Sequence, residues 1–411
     1  MSLPSRYLRP LAALLCTLAL VLVVAACGGG GSSSTTTASN LTPTQKKAKK
    51  ELEEKKKKLF APFPAGHRYF SDKSPWNTEV ESLPEDSNSE EMLELARRRI
   101  GVIEQPGRKS RTVSRVIKRG FALNTVSWAP VIVEVDEQNG VQTTLECRQV
   151  DCGAGIQVPK TLKLPAGAHP DPRFDGWMSL IDREKGIGYD LWRARRQDDG
   201  VITFQFSKAW ALRGPGFSKP ISEAPARAVG ARGSGLPLFA GVVEPGELKN
   251  GEIDHALSVS VPGLARRRYV QPASVTDGVG PVKALPAGAR IRLKADVKAP
   301  EPKLDARKLP KNAGKEEVLQ ARQEEGEHRY VEAILATLRR YGAIVVDRAA
   351  VPTLYAQDGQ LTGLIEGNAL EWLHLDNFEV VALPKVRYDP PAGKAAARAA
   401  KVARPATNGG F

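Results

Sequence analysis

Carboxylates and a histidine stand at two places where the residue pattern predicts strands. Asp190 lies in the segment YDLW, while Asp254 and His255 lie in GEIDHAL, directly after a turn signal at Asn250-Gly251. A glycosidase uses two carboxyl groups that flank the bond it breaks. Asp190 and Asp254 are therefore the candidate catalytic pair for hydrolysis of a glycosidic bond.

The role of His255 depends on the register of the strand that it begins. With unbroken alternation, His255 shares a face with Leu257 and Val259, which favours a buried histidine hydrogen-bonded to the structure. A β-bulge after the turn would exchange the faces of Asp254 and His255. In that alternative His255 is a candidate general base.

Residues suited to binding a sugar chain follow the same alternation. Pyranose rings stack on tryptophan, hydroxyl groups pair with polar side chains, and small residues leave room for a chain. The sequence thus predicts a polar sheet face with the substrate-binding residues Trp192, Gln205, Arg232 and Ser258. The alternative is an ordinary solvated face, with Trp192 covering an edge of the sheet.

A polysaccharide lyase would need a cation or amide to neutralise a uronate carboxylate, and a residue that moves protons. Arg232, Gln205 and His255 supply those types, so hydrolase and lyase both stay open. A third alternative is a non-catalytic protein for carbohydrate binding or cell-wall attachment. Its platform would be Trp192, with Trp177 or Trp210.

The elements that must position these residues are predicted to be strands, because alternation with period two recurs between turn residues. Segments 130–136 and 141–146 form a predicted hairpin, segments 177–182, 187–194 and 201–207 a meander, and segments 255–261, 290–297, 343–347 and 378–383 further strands. Many short strands at regular spacing indicate an all-β fold. We expect an antiparallel jelly-roll-like β-sandwich with a few peripheral helices.

The predicted helices lie at the margins of this sandwich. One covers 91–100 behind a capping box at Ser87 and Glu90, and another covers 328–341 and ends at Gly342. The charged segment 296–327 is predicted to be an inserted surface loop or a loose helix. A single domain is expected over 59–390.

The N-terminus predicts export. Residues 1–26 combine two arginines with an apolar run of the length of a secretory signal, shorter than a typical membrane span. Val24-Ala25-Ala26-Cys27 resembles a bacterial lipobox, so Cys27 is the expected lipidation site, and a transmembrane anchor is the alternative. We expect a lipid-anchored protein at the outer face of the bacterial cell membrane, with a flexible and then lysine-rich tether over 27–58.

Net charge concentrates at the two ends of the chain. The formal charge is +14, of which +2 belongs to 1–26, +5 to 46–58 and +4 to 394–411, leaving +3 on 59–393. The basic ends, including a disordered tail over 391–411, suit anionic lipid head groups or acidic wall polymers. No nucleic-acid-binding signature accompanies them, so no nucleic-acid partner is expected.

Two of the four cysteines remain for the exported domain, because Cys16 leaves with the signal and Cys27 takes the lipid. Cys147 and Cys152 then form a natural disulfide pair in an oxidising compartment. No further cysteine or histidine lies nearby in sequence, so we expect no metal, and no cofactor motif is present.

The order of several motifs resembles a family of secreted bacterial proteins. The motifs are SPWN (74–77), YDLW (189–192), GLP (235–237), GEIDHAL (251–257), YVQPA (269–273) and RYGAIVVD (340–347). The resemblance covers about residues 64 to 383 and implies a secreted jelly-roll-like sandwich. It carries no catalytic residues, and the insertion at 296–327 departs from it.

The sequence therefore predicts a cell-surface lipoprotein that acts on extracellular or cell-wall polysaccharide, as a glycoside hydrolase or a polysaccharide lyase. Non-catalytic binding is the alternative.

Overall fold

The computed structural model describes residues 43–103, 111–149, 152–153, 155–173, 175–221, 230–361 and 363–389. The predicted signal segment, Cys27, most of the predicted tether and the predicted basic tail lie outside these residues. The chain divides into two units, residues 1–55 and residues 56–411. Within the described residues, no helix combines the length and the apolar character needed to cross a membrane.

Most of the regular structure is strand, which confirms the all-β expectation at the level of fold class. The helices are α1 (Pro43–Leu59), α2 (Ser89–Ala96), α3 (Pro245–Asn250) and α4 (Lys315–Arg340). The strands are β1 (Arg98–Ile103), β2 (Arg111–Val116), β3 (Ala122–Asn124), β4 (Ile132–Glu134), β5 (Val141–Cys147), β6 (Thr161–Leu164), β7 (Met178–Asp182), β8 (Ile187–Trp192), β9 (Arg195–Arg196), β10 (Ile202–Phe204), β11 (Phe206–Ala211), β12 (Leu257–Val261), β13 (Arg268–Val270), β14 (Arg290–Leu293), β15 (Ala343–Arg348), β16 (Thr353–Tyr355), β17 (Phe378–Val380) and β18 (Val386–Tyr388).

Three larger sheets organise these strands. The central sheet has the order β11-β8-β7-β4, the outer sheet β6-β5-β10-β9, and the six-stranded sheet β17-β14-β15-β12-β16-β3. Strands β1 and β2 form a separate two-stranded sheet, as do β13 and β18. Tyr269 of β13 also forms an isolated bridge with Ala287. The hairpin of β1 and β2 therefore gains no support from a third described strand.

Three apolar cores lie on the faces of these sheets. The first joins Leu162 of the outer sheet with Leu191 of the central sheet. The second joins Trp210 of the central sheet with Val346 of the six-stranded sheet, and includes the buried loop around Phe239. The third packs the opposite face of the six-stranded sheet against α2 and α4. The central sheet is therefore covered on both faces.

Several details of the predicted strand pairing are wrong. Four ladders are parallel (β5 with β10, β4 with β7, β12 with β15, and β3 with β16), so the sheets are mixed and not purely antiparallel. The predicted hairpin over 130–146 is absent, because β4 pairs with β7 whereas β5 pairs with β6 and β10. Segment 201–207 splits at Gln205, and its two halves join different sheets.

The helices also differ from their predicted bounds. Helix α2 ends at Ala96, so Arg98–Ile103 extends as a strand, and its N-cap is Asn88 without a side-chain capping bond. Helix α4 begins at Lys315, inside the segment predicted as a loop or loose helix, and Gly342 follows it with φ 65°, as expected for its end. The disulfide between Cys147 and Cys152 is confirmed, with the two Cα atoms 6.0 Å apart.

Candidate functional site

The predicted polar sheet face exists, but it is buried. All residues of β8 and all residues of β12 are buried on both faces. Ser258 donates a hydrogen bond to the carbonyl of Ala240, and Ser260 bonds the hydroxyl of Tyr355. The expectation that the polar face of these strands meets solvent is wrong. The polar residues point away from one core but lie in the layer between the central and six-stranded sheets.

Asp190 lies in that layer and is fully buried. Its carboxylate accepts hydrogen bonds from Ser179 Oγ at 2.7 Å, Trp210 Nε1 at 2.8 Å and the backbone N–H of Leu238 at 2.9 Å. Burial raises the pKa of Asp190 to about 6, against the effect of these donors. Asp190 thus joins a strand, a tryptophan and a loop in the interior.

Asp254 occupies a different environment, in the loop before β12. Half of its side chain is exposed, and its carboxylate lies 3.9 Å from Arg68 Nη1. Asp190 and Asp254 share no hydrogen-bond or ion-pair partner among the described residues. The geometry therefore offers no support for their use as a catalytic pair.

His255 has both ring nitrogens engaged. Nε2 lies 2.8 Å from Glu247 Oε1, and Nδ1 lies 3.0 Å from the carbonyl of Ala256. Burial acts to lower the pKa of His255, but Glu247 and the Ala256 carbonyl outweigh it and raise the pKa to about 9. His255 is therefore a cation at neutral pH that donates two hydrogen bonds, which suits a structural role better than that of a general base.

A narrow crevice opens beside His255, lined on its aromatic side by Tyr69, Trp76 and Phe239 and on its polar side by Glu244. Its cavity volume is about 10 Å³, room for about one water molecule. Burial and repulsion from Glu247 raise the pKa of Glu244 to about 7. The crevice is too small to hold a sugar ring in this conformation.

Arg232 lies in the same interior layer as Asp190. Its Nη1 donates to Asp347 Oδ2 at 2.8 Å, and its other donors reach the carbonyls of Pro237 at 3.2 Å and Leu238 at 3.0 Å. The guanidinium carbon lies 4.6 Å from the ring centre of Tyr355 and 5.2 Å from that of Trp177. Arg232 is thereby fixed as a buried charge at one end of the polar layer.

Three carboxyl groups interact electrostatically where this layer approaches the surface, and we name them the aspartate cluster: Asp175, Asp277 and Asp347. Burial raises the pKa of each, and for Asp347 the value is about 6 despite the arginine beside it. Asp347 repels Asp175 and Asp277 also repels Asp347, which adds to the rise. Such coupled, desolvated carboxyl groups are typical of functional sites.

Gly233 fixes the distance between two members of the cluster. Its N–H donates to Asp347 Oδ1 at 2.6 Å. A Cβ at this position would stand 2.4 Å from Cγ of Asp277, so only glycine allows both carboxyl groups to approach this close. Asp277 Oδ1 is buried without a hydrogen-bond partner in the described structure, while Oδ2 accepts from Arg348 Nε at 3.1 Å.

Trp192 and Gln205 lie beside the aspartate cluster. The indole of Trp192 donates a hydrogen bond to Asp175. Arg193 stacks on the Trp192 ring at 4.4 Å and donates to Gln205 Oε1 at 3.2 Å. Of the sequence-predicted residues, the structure thus brings Arg232, Trp192 and Gln205 to one site and leaves Asp254 and His255 at another.

The loop that carries Asp175 also reaches an exposed aromatic residue. Half of Trp128 is exposed, and the Arg173 guanidinium lies 5.9 Å from its ring centre. Arg173 in turn pairs with Asp171 at 3.2 Å. Trp128 has a positive φ of 51°, which is uncommon for a bulky residue.

Sequence reasoning missed the aspartate cluster because its members come from three distant loops and strand ends. Asp175 lies in the segment DPRFDG (171–176), whose residue types are those of an ordinary turn, and Asp347 closes an apolar strand. The described residues include no group of three or more His, Cys, Asp or Glu side chains arranged to hold a metal ion.

Comparison with known proteins gives no match to any protein-family model, to any curated protein or to any solved structure.

Proposed function

We propose that this chain is a cell-surface lipoprotein whose β-sheet domain hydrolyses extracellular or cell-wall polysaccharide, with the aspartate cluster as its active site. The observation that carries the proposal is the electrostatic interaction of three desolvated carboxyl groups, each with a raised pKa, beside Arg232, which pairs with Asp347 and packs on Trp177 and Tyr355. A jelly-roll-like arrangement of the sheets and lipidation at Cys27 belong to the same proposal.

Glycoside hydrolysis requires one carboxyl group that carries a proton and one that is ionised. Asp175 suits the proton donor, because burial and repulsion from Asp347 both favour its neutral form. For Asp277, burial raises the pKa and Arg348 opposes the rise by stabilising the charged form. We assign Asp277 the role of the carboxylate because its Oδ1 has no described hydrogen-bond partner. Asp347 has both oxygens occupied, by Gly233 and Arg232, and acts as a positioning residue.

The geometry favours hydrolysis over a lyase reaction. A lyase needs a cation that is free to neutralise the substrate carboxylate. The donors of Arg232 are taken up by Asp347 and two backbone carbonyls, and its side chain is fully buried.

Non-catalytic carbohydrate binding is a second candidate, favoured by Trp128. Trp177, Trp192 and Trp210, the platform residues expected from the sequence, are each at least 92% buried, whereas 49% of Trp128 is exposed. An exposed indole beside Arg173 suits stacking on a sugar ring.

The test is release of reducing ends from a panel of neutral, uronate-containing and wall-derived polysaccharides. We expect Asp175→Asn and Asp277→Asn each to lose roughly 100-fold or more of the activity, the usual contribution of one acid or base group, with an unchanged melting temperature. Asp254→Asn is the matched control and should retain activity. Loss of activity in Asp254→Asn with activity kept in Asp175→Asn would instead favour the pair predicted from the sequence, Asp190 and Asp254, as the active site.

A panel without any cleavage, but with retention that Trp128→Ala removes, would favour the binding function instead. The proposed anchor is tested separately, since Cys27→Ser should move the protein from the membrane fraction into the medium.

A further inference from the structure

The positive charge of the folded region is concentrated in one hairpin. Residues 97–119, which contain β1 and β2, carry nine basic residues and one acidic residue, a net charge of +8. The whole of 59–393 carries only +3, so the rest of it has a net charge of −5. The near-neutral total of 59–393 is therefore the sum of a strongly basic hairpin and a net acidic remainder.

The register of the hairpin places like charges opposite each other. Arg99 is paired directly with Arg115 across the two strands, so both side chains project from the same face. Both residues are exposed. Like charges directly opposite in an antiparallel pair are destabilising. A bound anion would remove this repulsion.

The described acidic residues neutralise only part of the hairpin. Arg97 pairs with Asp376 at 2.7 Å, and Arg119 approaches Glu371 at 3.6 Å. Arg99, Arg115 and Lys118 form no ion pair with any described residue. These three exposed cations therefore stay available to an external partner.

A pocket lies at the base of the hairpin and continues the positive surface. Its cavity volume is about 270 Å³, close to the lower end for sites that bind small molecules. The lining combines the cations Arg97, Lys118 and Arg119 with the apolar Ile117, Pro352 and Leu375, and it includes Asp376, which pairs with Arg97. Lys118, which has no described ion-pair partner, together with the apolar residues suits a ring that carries a negative group.

We infer that the hairpin face of Arg99 and Arg115, together with this pocket and Lys118, binds a polysaccharide that carries carboxylate groups. The inference rests on the proposed function, and it names the substrate class as an acidic polymer. Strand β1 alone spans about 20 Å at ~3.3 Å per residue, longer than a single small anion can cover. A polymer would place successive charges along the hairpin and one ring in the pocket.

The surface fits a glycan better than a membrane. Insertion into a bilayer interface requires exposed large apolar or aromatic side chains beside the cations. In β1 and β2, the exposed residues among those whose burial is described are Arg99, Thr112, Ser114 and Arg115.

The experiment is affinity electrophoresis of the purified protein through gels containing polygalacturonate, with dextran as the neutral polymer. The test variant is Arg99→Gln/Arg115→Gln/Lys118→Gln. The matched control removes the same three charges from exposed positions of α4, as Lys315→Gln/Arg322→Gln/Arg329→Gln. Thermal unfolding of both variants verifies that the fold is intact.

We expect polygalacturonate, but not dextran, to retard the protein. The test variant should bind polygalacturonate roughly tenfold more weakly, because it loses three exposed ion pairs of ordinary strength. The control variant should bind like the parent protein, and higher ionic strength should weaken the parent most. Equal losses in both variants, or no retardation of the parent, would overturn the inference. Preferential binding to duplex DNA or to anionic liposomes, lost in the test variant, would overturn it as well.

The proposed function and this inference can fail separately. Cleavage of neutral polymers without retention by polygalacturonate would keep the hydrolase and reject the acidic substrate. Retention by polygalacturonate that depends on the hairpin, without cleavage of any polymer, would keep the binding surface and reject the hydrolase.

Discussion

Replacing His255 with glutamine should change both the stability of the protein and the dependence of that stability on pH. In the folded chain, the ring donates to Glu247 at 2.8 Å and to the Ala256 carbonyl at 3.0 Å, and its pKa is raised to about 9. In the unfolded chain its pKa returns to about 6.5. The folded state therefore binds the proton more tightly than the unfolded state does.

The magnitude follows from the difference between these two pKa values. At about 1.4 kcal/mol for each tenfold change in proton affinity, the charged His255 contributes ~3 kcal/mol to the free energy of unfolding. Because the pKa is raised on folding, this contribution is complete below pH ~6.5 and is lost as the pH rises through about 9. Only 13% of the side chain is exposed, so screening by solvent is small.

Urea unfolding of the parent and of His255→Gln between pH 6 and pH 10 measures this contribution. We expect the variant to be ~3 kcal/mol less stable near pH 6, with the difference shrinking towards zero at about pH 10. His328→Gln, which removes a histidine that bonds the Pro300 carbonyl from the surface of α4, is the control, and its effect on stability should be much smaller than that of His255→Gln. A constant difference in the free energy of unfolding between His255→Gln and the parent across this range would refute the stabilisation by charged His255.

Two further predictions concern stability. Asp190→Ala should lower the free energy of unfolding by about 3 kcal/mol or more, because it leaves the Trp210 and Leu238 N–H groups buried and unpaired. Asp190→Asn keeps one acceptor and should lower it less. Chemical denaturation would measure both variants, and equal losses of stability would contradict the hydrogen-bond network around Asp190. Replacing Cys147 and Cys152 with serine should cost about 2 kcal/mol by the chain-entropy estimate for so short a loop, and a melting temperature that is insensitive to reductant would argue against the bond.

The buried histidine shows how far the sequence reached towards the site. Alternation with the apolar Leu257 predicted a hydrogen-bonded His255, and the structure engages both of its nitrogens, although regular strand begins only at Leu257. Its partner Glu247 lies in α3, a helix of six residues, which is too short to show a helical periodicity in the sequence. The local pattern therefore predicted the state of the histidine but not what holds it.

The polar layer shows the limit of alternation. Alternation correctly separated Asp190 and Trp192 from the apolar residues of β8, but it does not say what covers the other face. A third layer packs there, so Asp190 accepts a hydrogen bond from Trp210 and Ser258 donates one to the Ala240 carbonyl, where contacts with a substrate were predicted. The number of sheets that pack on one another is a property of the whole fold, and the sequence of a single strand does not determine it.

What the sequence determined by itself is local: the strand-rich class, the disulfide between Cys147 and Cys152, and the end of α4 at Gly342. Each depends on neighbouring residues, through alternation, short loop closure or a backbone angle that glycine permits. The tertiary structure alone decided which carboxyl groups converge. Asp175, Asp277 and Asp347 are separated by 102 and 70 residues along the chain, and only the packing of the sheets and their loops places them together and desolvates them.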